Sequence, residues 1–168
     1  RDTLGEYISL TEPIADLTDT SGTPLPGLFL VACGTSYHAA LMGKYIFGEL
    51  VGIPVRVELA SEFNYGRQSL SRFPAIAITQ SGETADTLKA MKRLKELGRR
   101  VIAITNVVGS SATRIADQTV YVRAGPEISV AATKSFTAQL MALYWLALSY
   151  SQIDIRLLDK MLKLIDPI

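Results

Sequence analysis

The sequence predicts an α/β fold of three layers, α/β/α, in which helices cover both faces of a five-stranded parallel sheet. Three observations carry this. Five short apolar runs are bounded by turn residues, and segments of helical period lie between them. The runs are too continuously apolar for a sheet with one wet face, as expected of parallel strands buried on both sides. At 168 residues and 48% hydrophobic content the chain is long enough for one well-buried domain, and length alone does not demand two.

The elements follow in order. Residues 1–27 read as a lead-in: Leu4, Ile8, Ile14 and Leu17 make a weak amphipathic helix broken by Pro13, and Ser21-Gly22-Thr23-Pro24 with Pro26-Gly27 form a loop. Strands are expected over residues 28–33, 55–59, 75–79, 101–105 and 119–122. Helices are expected over residues 37–51 and 84–97, the latter ended by Gly98, with a short turn over 110–116. Residues 131–150 and 155–165 add helices at the end. The chain starts at Arg1 and stops just past a helical pattern at Asp166-Pro167-Ile168, so it is expected to be a piece of a longer polypeptide.

Composition narrows the function classes. The 17 basic and 16 acidic residues are scattered and give a net charge of +1, so no basic stripe announces a nucleic acid or an anionic membrane. The longest apolar stretch, residues 138–147, contains Gln139 and falls short of the roughly 20 residues that cross a bilayer. A single cysteine, Cys33, has no internal disulfide partner, and cytoplasm is the expected compartment. With one histidine and one cysteine, no metal cluster and no cofactor are expected.

In an open parallel sheet, ligands bind at the carboxyl ends of strands whose helices leave to opposite faces. In the flavodoxin-like order 2-1-3-4-5, strands one and three are neighbours there. The first ends in Cys33-Gly34-Thr35-Ser36, the third in Thr79-Gln80-Ser81-Gly82-Glu83-Thr84. Each places hydroxyls and a glycine before a helix, where free N–H groups and the helix dipole attract an anion. No G-x-x-x-x-G-K-[ST] or G-x-G-x-x-G pattern is present, which argues against a nucleoside triphosphate or a dinucleotide. A phosphate monoester on a polyol fits better. Taken singly, Ser36, Ser81 and Thr84 are equally what helix N-caps look like; two such loops flanking one switch point weaken that explanation.

The ordered motifs carry a resemblance. Cys33-Gly34-Thr35-Ser36-Tyr37, Glu58-Leu59-Ala60-Ser61-Glu62-Phe63, Gln80-Ser81-Gly82-Glu83-Thr84-Ala85-Asp86-Thr87-Leu88 and Ile104-Thr105-Asn106-Val107-Val108-Gly109-Ser110-Ser111 are similar to the isomerase module of the glucosamine-6-phosphate synthase family. Ala124-Gly125-Pro126-Glu127-Ile128 and Thr133-Lys134-Ser135-Phe136-Thr137-Ala138-Gln139-Leu140 continue the likeness, which runs from about Leu28 to Leu140. The resemblance implies the sugar isomerase (SIS) fold over residues 28–150, with residues 151–168 leading to a second half. It also implies binding of fructose 6-phosphate or glucosamine 6-phosphate. Ser36, Thr79, Ser81 and Thr84 would hold the phosphate, with Gln80 nearby and Gly34 opening the first loop; Thr35 and Val130 would line the sugar. Thr79 and Ala132 stand where the family often has Ser. A glutaminase domain, the second SIS half and a homodimer partner are implied as well. The imine-forming lysine, proton-moving carboxylate and ring-opening histidine of the reaction belong to that second half and to the partner subunit, so no catalytic residue is assigned here and the fragment is expected to bind without completing the reaction. A deaminase or ketose-aldose isomerase of the same fold, or a non-enzymatic phosphosugar sensor, are the alternatives.

Other reactive side chains have structural readings. Cys33 is expected to pack at a strand end, and His38, two residues after Ser36, is turned away from that hydroxyl by helical geometry. Glu62, Glu83, Glu127 and Lys134 invite acid, base and imine roles, with a structural ion pair the favoured reading of the lysine. Lys134 opens a long helix, where its charge opposes the dipole, and Glu127 is its expected partner. Met141, Leu143, Tyr144, Trp145 and Leu148 have the spacing of a buried or interfacial helix.

Overall fold

The computed structural model describes residues 26–65, 73–126 and 133–151. Within them five strands, β1 (Leu28–Ala32), β2 (Val55–Leu59), β3 (Ala75–Thr79), β4 (Val101–Thr105) and β5 (Gln118–Tyr121), form one sheet of order β2-β1-β3-β4-β5. Every neighbouring pair is parallel. The helices are α1 (Thr35–Val51), α2 (Ala60–Phe63), α3 (Ala85–Glu96), α4 (Ser111–Ile115) and α5 (Lys134–Tyr150).

The period-two alternation of strand side chains divides the core in two. Leu28, Leu30, Ala32, Ile76, Ile78, Ile102 and Ile104 pack on one face with Ala39, Ala40 and Phe47 of α1 and Ala142, Leu143 and Leu146 of α5. Phe29, Val31, Ala75, Ala77, Val101 and Ala103 pack on the other with Phe63, Ala90, Met91, Leu94 and Ala112 of α2, α3 and α4. All residues of β1, β3 and β4 are buried, so the three central strands need apolar side chains at odd and even positions alike.

Chain direction at the sheet centre positions the site. Right-handed crossovers send α1, after β1, to one face and α3, after β3, to the other. β1 and β3 are paired through Phe29↔Ala75 to Ala32↔Ile78, so a switch point opens between their carboxyl ends.

Several boundaries differ from the sequence expectation. α1 starts at Thr35 rather than residue 37, which puts Thr35 and Ser36 in its first turn. β5 covers Gln118–Tyr121, and residues 60–63, expected only as part of a motif, form the single helical turn α2. The lead-in helix, the helix over 155–165, Glu127 and Val130 lie outside the described residues. Among the described residues, no helix is long and apolar enough to cross a membrane.

Candidate functional site

Thr79 is the last residue of β3 and is 2% exposed; its backbone leads into a turn at Gly82, where φ is +69°. The turn folds back on the threonine: Gly82 N–H donates to Thr79 Oγ1 at 3.2 Å, and Thr84 Oγ1 lies 3.3 Å from the same oxygen. Two residues on, Glu83 N–H donates to Ser81 Oγ at 3.1 Å. Thr79, Ser81 and Thr84 are thereby gathered in one loop at the start of α3.

On the neighbouring strand, Gly34 occupies the N-cap of α1 with φ 57° and ψ −138°, and no side-chain capping bond is made there among the described residues. Its first turn holds no acidic residue, so the positive end of the dipole is left uncompensated. Thr35 is half-buried and opens the helix; Ser36 follows, 7% exposed, and its Oγ accepts a hydrogen bond from Gln139 Nε2 of α5 at 3.0 Å.

A common chemistry links these hydroxyls. A hydroxyl offers one proton and two lone pairs. In Ser36, Thr79 and Ser81 a protein N–H already occupies a lone pair. Ser36 and Ser81 keep a proton and one lone pair, and the proton is what they can give to a ligand that only accepts, such as a phosphate dianion; between Thr79 and Thr84 one hydroxyl donates to the other, so that pair keeps one proton to give. The capping explanation fits less well: Thr84 sits at the N-cap of α3 but makes no side-chain capping bond, and the bond to its hydroxyl goes to Thr79.

The loop is anchored from the β4 side. Asn106 N–H and the Thr105 hydroxyl both donate to Gln80 O, at 3.0 and 3.3 Å, and Ala112 N–H donates to Gly82 O at 3.0 Å. Glu83 is fully exposed and turns its carboxylate to the start of α4, accepting from Ser111 N–H at 2.7 Å. The Ser111 backbone bond, then the Ser111 side chain and the charge of Arg114, hold its carboxyl below the ordinary range against a smaller opposing effect of desolvation. Glu83 is therefore engaged in holding the loop.

Gln80 also lines an open cleft of about 560 Å³ with Asn106, Val107, Val108, Arg123, Gly125 and Pro126. Asn106 braces that cleft: Nδ2 donates to Gly125 O and Oδ1 accepts from Ala124 N–H, both at 2.7 Å.

Of the remaining residues, Cys33 packs half-buried against the α2/α3 core, and His38 is exposed. Leu143 and Trp145 are buried while Tyr144 is 43% exposed. Lys134 is exposed, and the acid expected to pair with it lies outside the described residues. Sequence reasoning missed Gln139 as a site residue, although a lone amide inside the apolar run of residues 138–147 was a visible signal. No group of three or more His, Cys, Asp or Glu that would hold a metal exists among the described residues.

Residues 26–149 match the SIS domain family. The chain is 49% identical over 156 residues to the glutamine–fructose-6-phosphate aminotransferase (isomerizing) of Caldanaerobacter subterraneus, covering 90% of this chain and 26% of that protein. Among solved structures, the C-terminal domain of glucosamine-fructose-6-phosphate aminotransferase from Francisella tularensis aligns with a TM-score of 0.80 and 32% identity, over 98% of this chain and 50% of that chain. Glucosamine-6-phosphate deaminase from Thermotoga maritima shares the fold, with a TM-score of 0.73 and 22% identity over 96% of this chain and 51% of that chain. The chain spans about a quarter of the length of the curated relatives it matches.

Proposed function

The chain belongs to the SIS domain family, and we propose that it is the substrate-holding first half of the isomerase module of a glutamine-dependent aminotransferase that makes glucosamine 6-phosphate and glutamate from fructose 6-phosphate and glutamine. The observation that carries this reading is the set of hydroxyls whose lone pairs are taken by Gly82 N–H, Glu83 N–H and Gln139, at the carboxyl ends of two paired strands. Ser36, Thr79, Ser81 and Thr84 hold the phosphate, Gly34 lets the first loop approach it, and Gln80, Thr35 and Val130 serve the sugar side.

Hydrogen bonds to a charged group contribute roughly 1.5–3 kcal/mol each, against about 0.3–1 kcal/mol for a helix dipole at an exposed end, so the hydroxyls dominate the affinity. Ring opening, imine formation and the proton shift between adjacent carbons need an acid or base and an amine that no residue of this site supplies. Those groups come from the second half of the module and a partner subunit, and ammonia comes from a glutaminase domain. A homodimer in the cytoplasm is the setting this reading requires.

Calorimetric titration of the chain with glucosamine 6-phosphate, glucosamine and inorganic phosphate tests it. The phosphosugar is expected to bind more tightly than either part, and S81A and T84V to weaken it by roughly tenfold each or more. Wild-type chain that binds no phosphosugar would refute the proposal.

A further inference from the structure

Of the three site hydroxyls that accept a hydrogen bond from the protein, Thr79 and Ser81 receive it from backbone N–H groups within their own loop. Ser36 receives it from a side chain 103 residues away, Gln139 of α5. Gln139 is fully buried, and among the described residues its Oε1 has no hydrogen-bond partner. A buried unpaired carbonyl is destabilising, and an apolar side chain of the same length would fill the space without that cost. What Gln139 offers beyond packing is the nitrogen aimed at Ser36.

We infer that Gln139 is a positioning residue for anion binding: by donating to Ser36 Oγ it fixes that hydroxyl as a donor, with its proton directed to the bound phosphate. The inference rests on the reading of this crevice as a phosphosugar site. Among the described residues, no backbone N–H donates to Ser36 in the way that orients Thr79 and Ser81. With Gln139 removed, its hydroxyl is free to turn its proton to other acceptors, such as the carbonyls of the preceding turn. The amide also makes the seating of α5 on α1 a condition for a correctly oriented first loop.

A double-mutant cycle separates this role from a merely structural tie between the two helices. Glucosamine 6-phosphate is titrated into wild type, Q139M, S36A and S36A/Q139M. Q139M is expected to weaken binding roughly tenfold on its own and less than about twofold in the S36A background, because its effect passes through the Ser36 hydroxyl. Equal losses in both backgrounds, or no loss in either, overturn the inference. Q139E provides the sign test, since an ionised carboxylate only accepts and would draw the Ser36 proton to itself. At pH 8 it is expected to bind more weakly than Q139M, and its deficit against wild type at each pH should narrow as the introduced carboxyl protonates. Wild-type affinity for Q139E at pH 8 overturns the inference; if Q139E does not fold, the cycle alone decides. Absence of binding by wild type removes the phosphosugar reading and this inference together, whereas wild-type binding with an unchanged Q139M removes the inference only.

Discussion

Gly82 and Gly34 both lie at positive φ beside the crevice, yet they meet a side chain differently. A Cβ on Gly82 would lie 2.1 Å from Ser110 Oγ and 2.4 Å from Ser110 Cβ, whereas a Cβ on Gly34 meets nothing within 4 Å among the described residues. G34A should therefore cost backbone strain alone, about 1–2 kcal/mol. G82A should add an overpacking cost of roughly 1–3 kcal/mol to a similar strain. Urea unfolding of the two variants checks this; equal losses would mean that Ser110 moves aside freely. Glu83 gives a prediction of a different kind. Its folded-state pKa is depressed, chiefly by the Ser111 N–H, so its stabilising contribution is present above the pKa of an unfolded carboxyl and is lost as pH falls through the depressed value. The difference in unfolding midpoint between wild type and E83Q should stay constant from neutral pH down to the carboxylate range and shrink below it. A difference that widens on acidification would contradict the assigned hydrogen bond. Tempting as an acid or base in the sequence, Glu83 has the role of fastening the loop to α4, and only the fold reveals it because Ser111 is 28 residues away.

Elements were legible to the degree that burial forces a pattern. β1, β3 and β4 are buried at every position, so their sequences had to be apolar runs, interrupted only by the terminal Thr79 and Thr105, and they were found at or within one residue of their observed ends. α2 is a single turn over Ala60–Phe63, too short to display a period, and nothing in the sequence marks it as helical. The edge pairing of β4 with β5 was expected from order, but the residue that ties their amino ends was not. Asp117 N–H donates to Val101 O and Asp117 Oδ2 accepts from Val101 N–H, both at 2.8 Å, while Lys95 Nζ bonds to Oδ1. Burial pushes the Asp117 carboxyl up, but the Lys95 hydrogen bond, the Val101 N–H and the charges of Lys95 and Arg100 together bring it below its ordinary value. D117A leaves the Val101 N–H without its side-chain acceptor and should cost about 1–2 kcal/mol. K95A removes only a solvent-screened ion pair and should cost about 0.5 kcal/mol or less. Denaturant unfolding that gives the two variants equal losses would make the ion pair, rather than the backbone bond, the fastening.

For the whole molecule, the position of the crevice was legible because topology alone decides it: once β1 and β3 are neighbours and their helices leave to opposite faces, the two hydroxyl loops have one place to go. The direction of each hydroxyl was not legible, since for Ser36 it depends on α5 returning to α1 from the far end of the chain. A site assembled from both ends of the fold couples ligand to global stability. A ligand that binds only the folded chain stabilises it by RT ln(1 + [L]/Kd), about 2.7 kcal/mol at a hundredfold excess over Kd. For a domain of this size that raises Tm on the order of 5–10 °C. Glucosamine 6-phosphate is expected to produce such a shift in wild type, S81A a much smaller one at the same concentration, and glucosamine almost none, because the hydroxyls assigned to the phosphate carry most of the affinity. A shift of equal size from glucosamine would place the recognition in the sugar hydroxyls instead, and the phosphate role of Ser36, Thr79, Ser81 and Thr84 would fall with it.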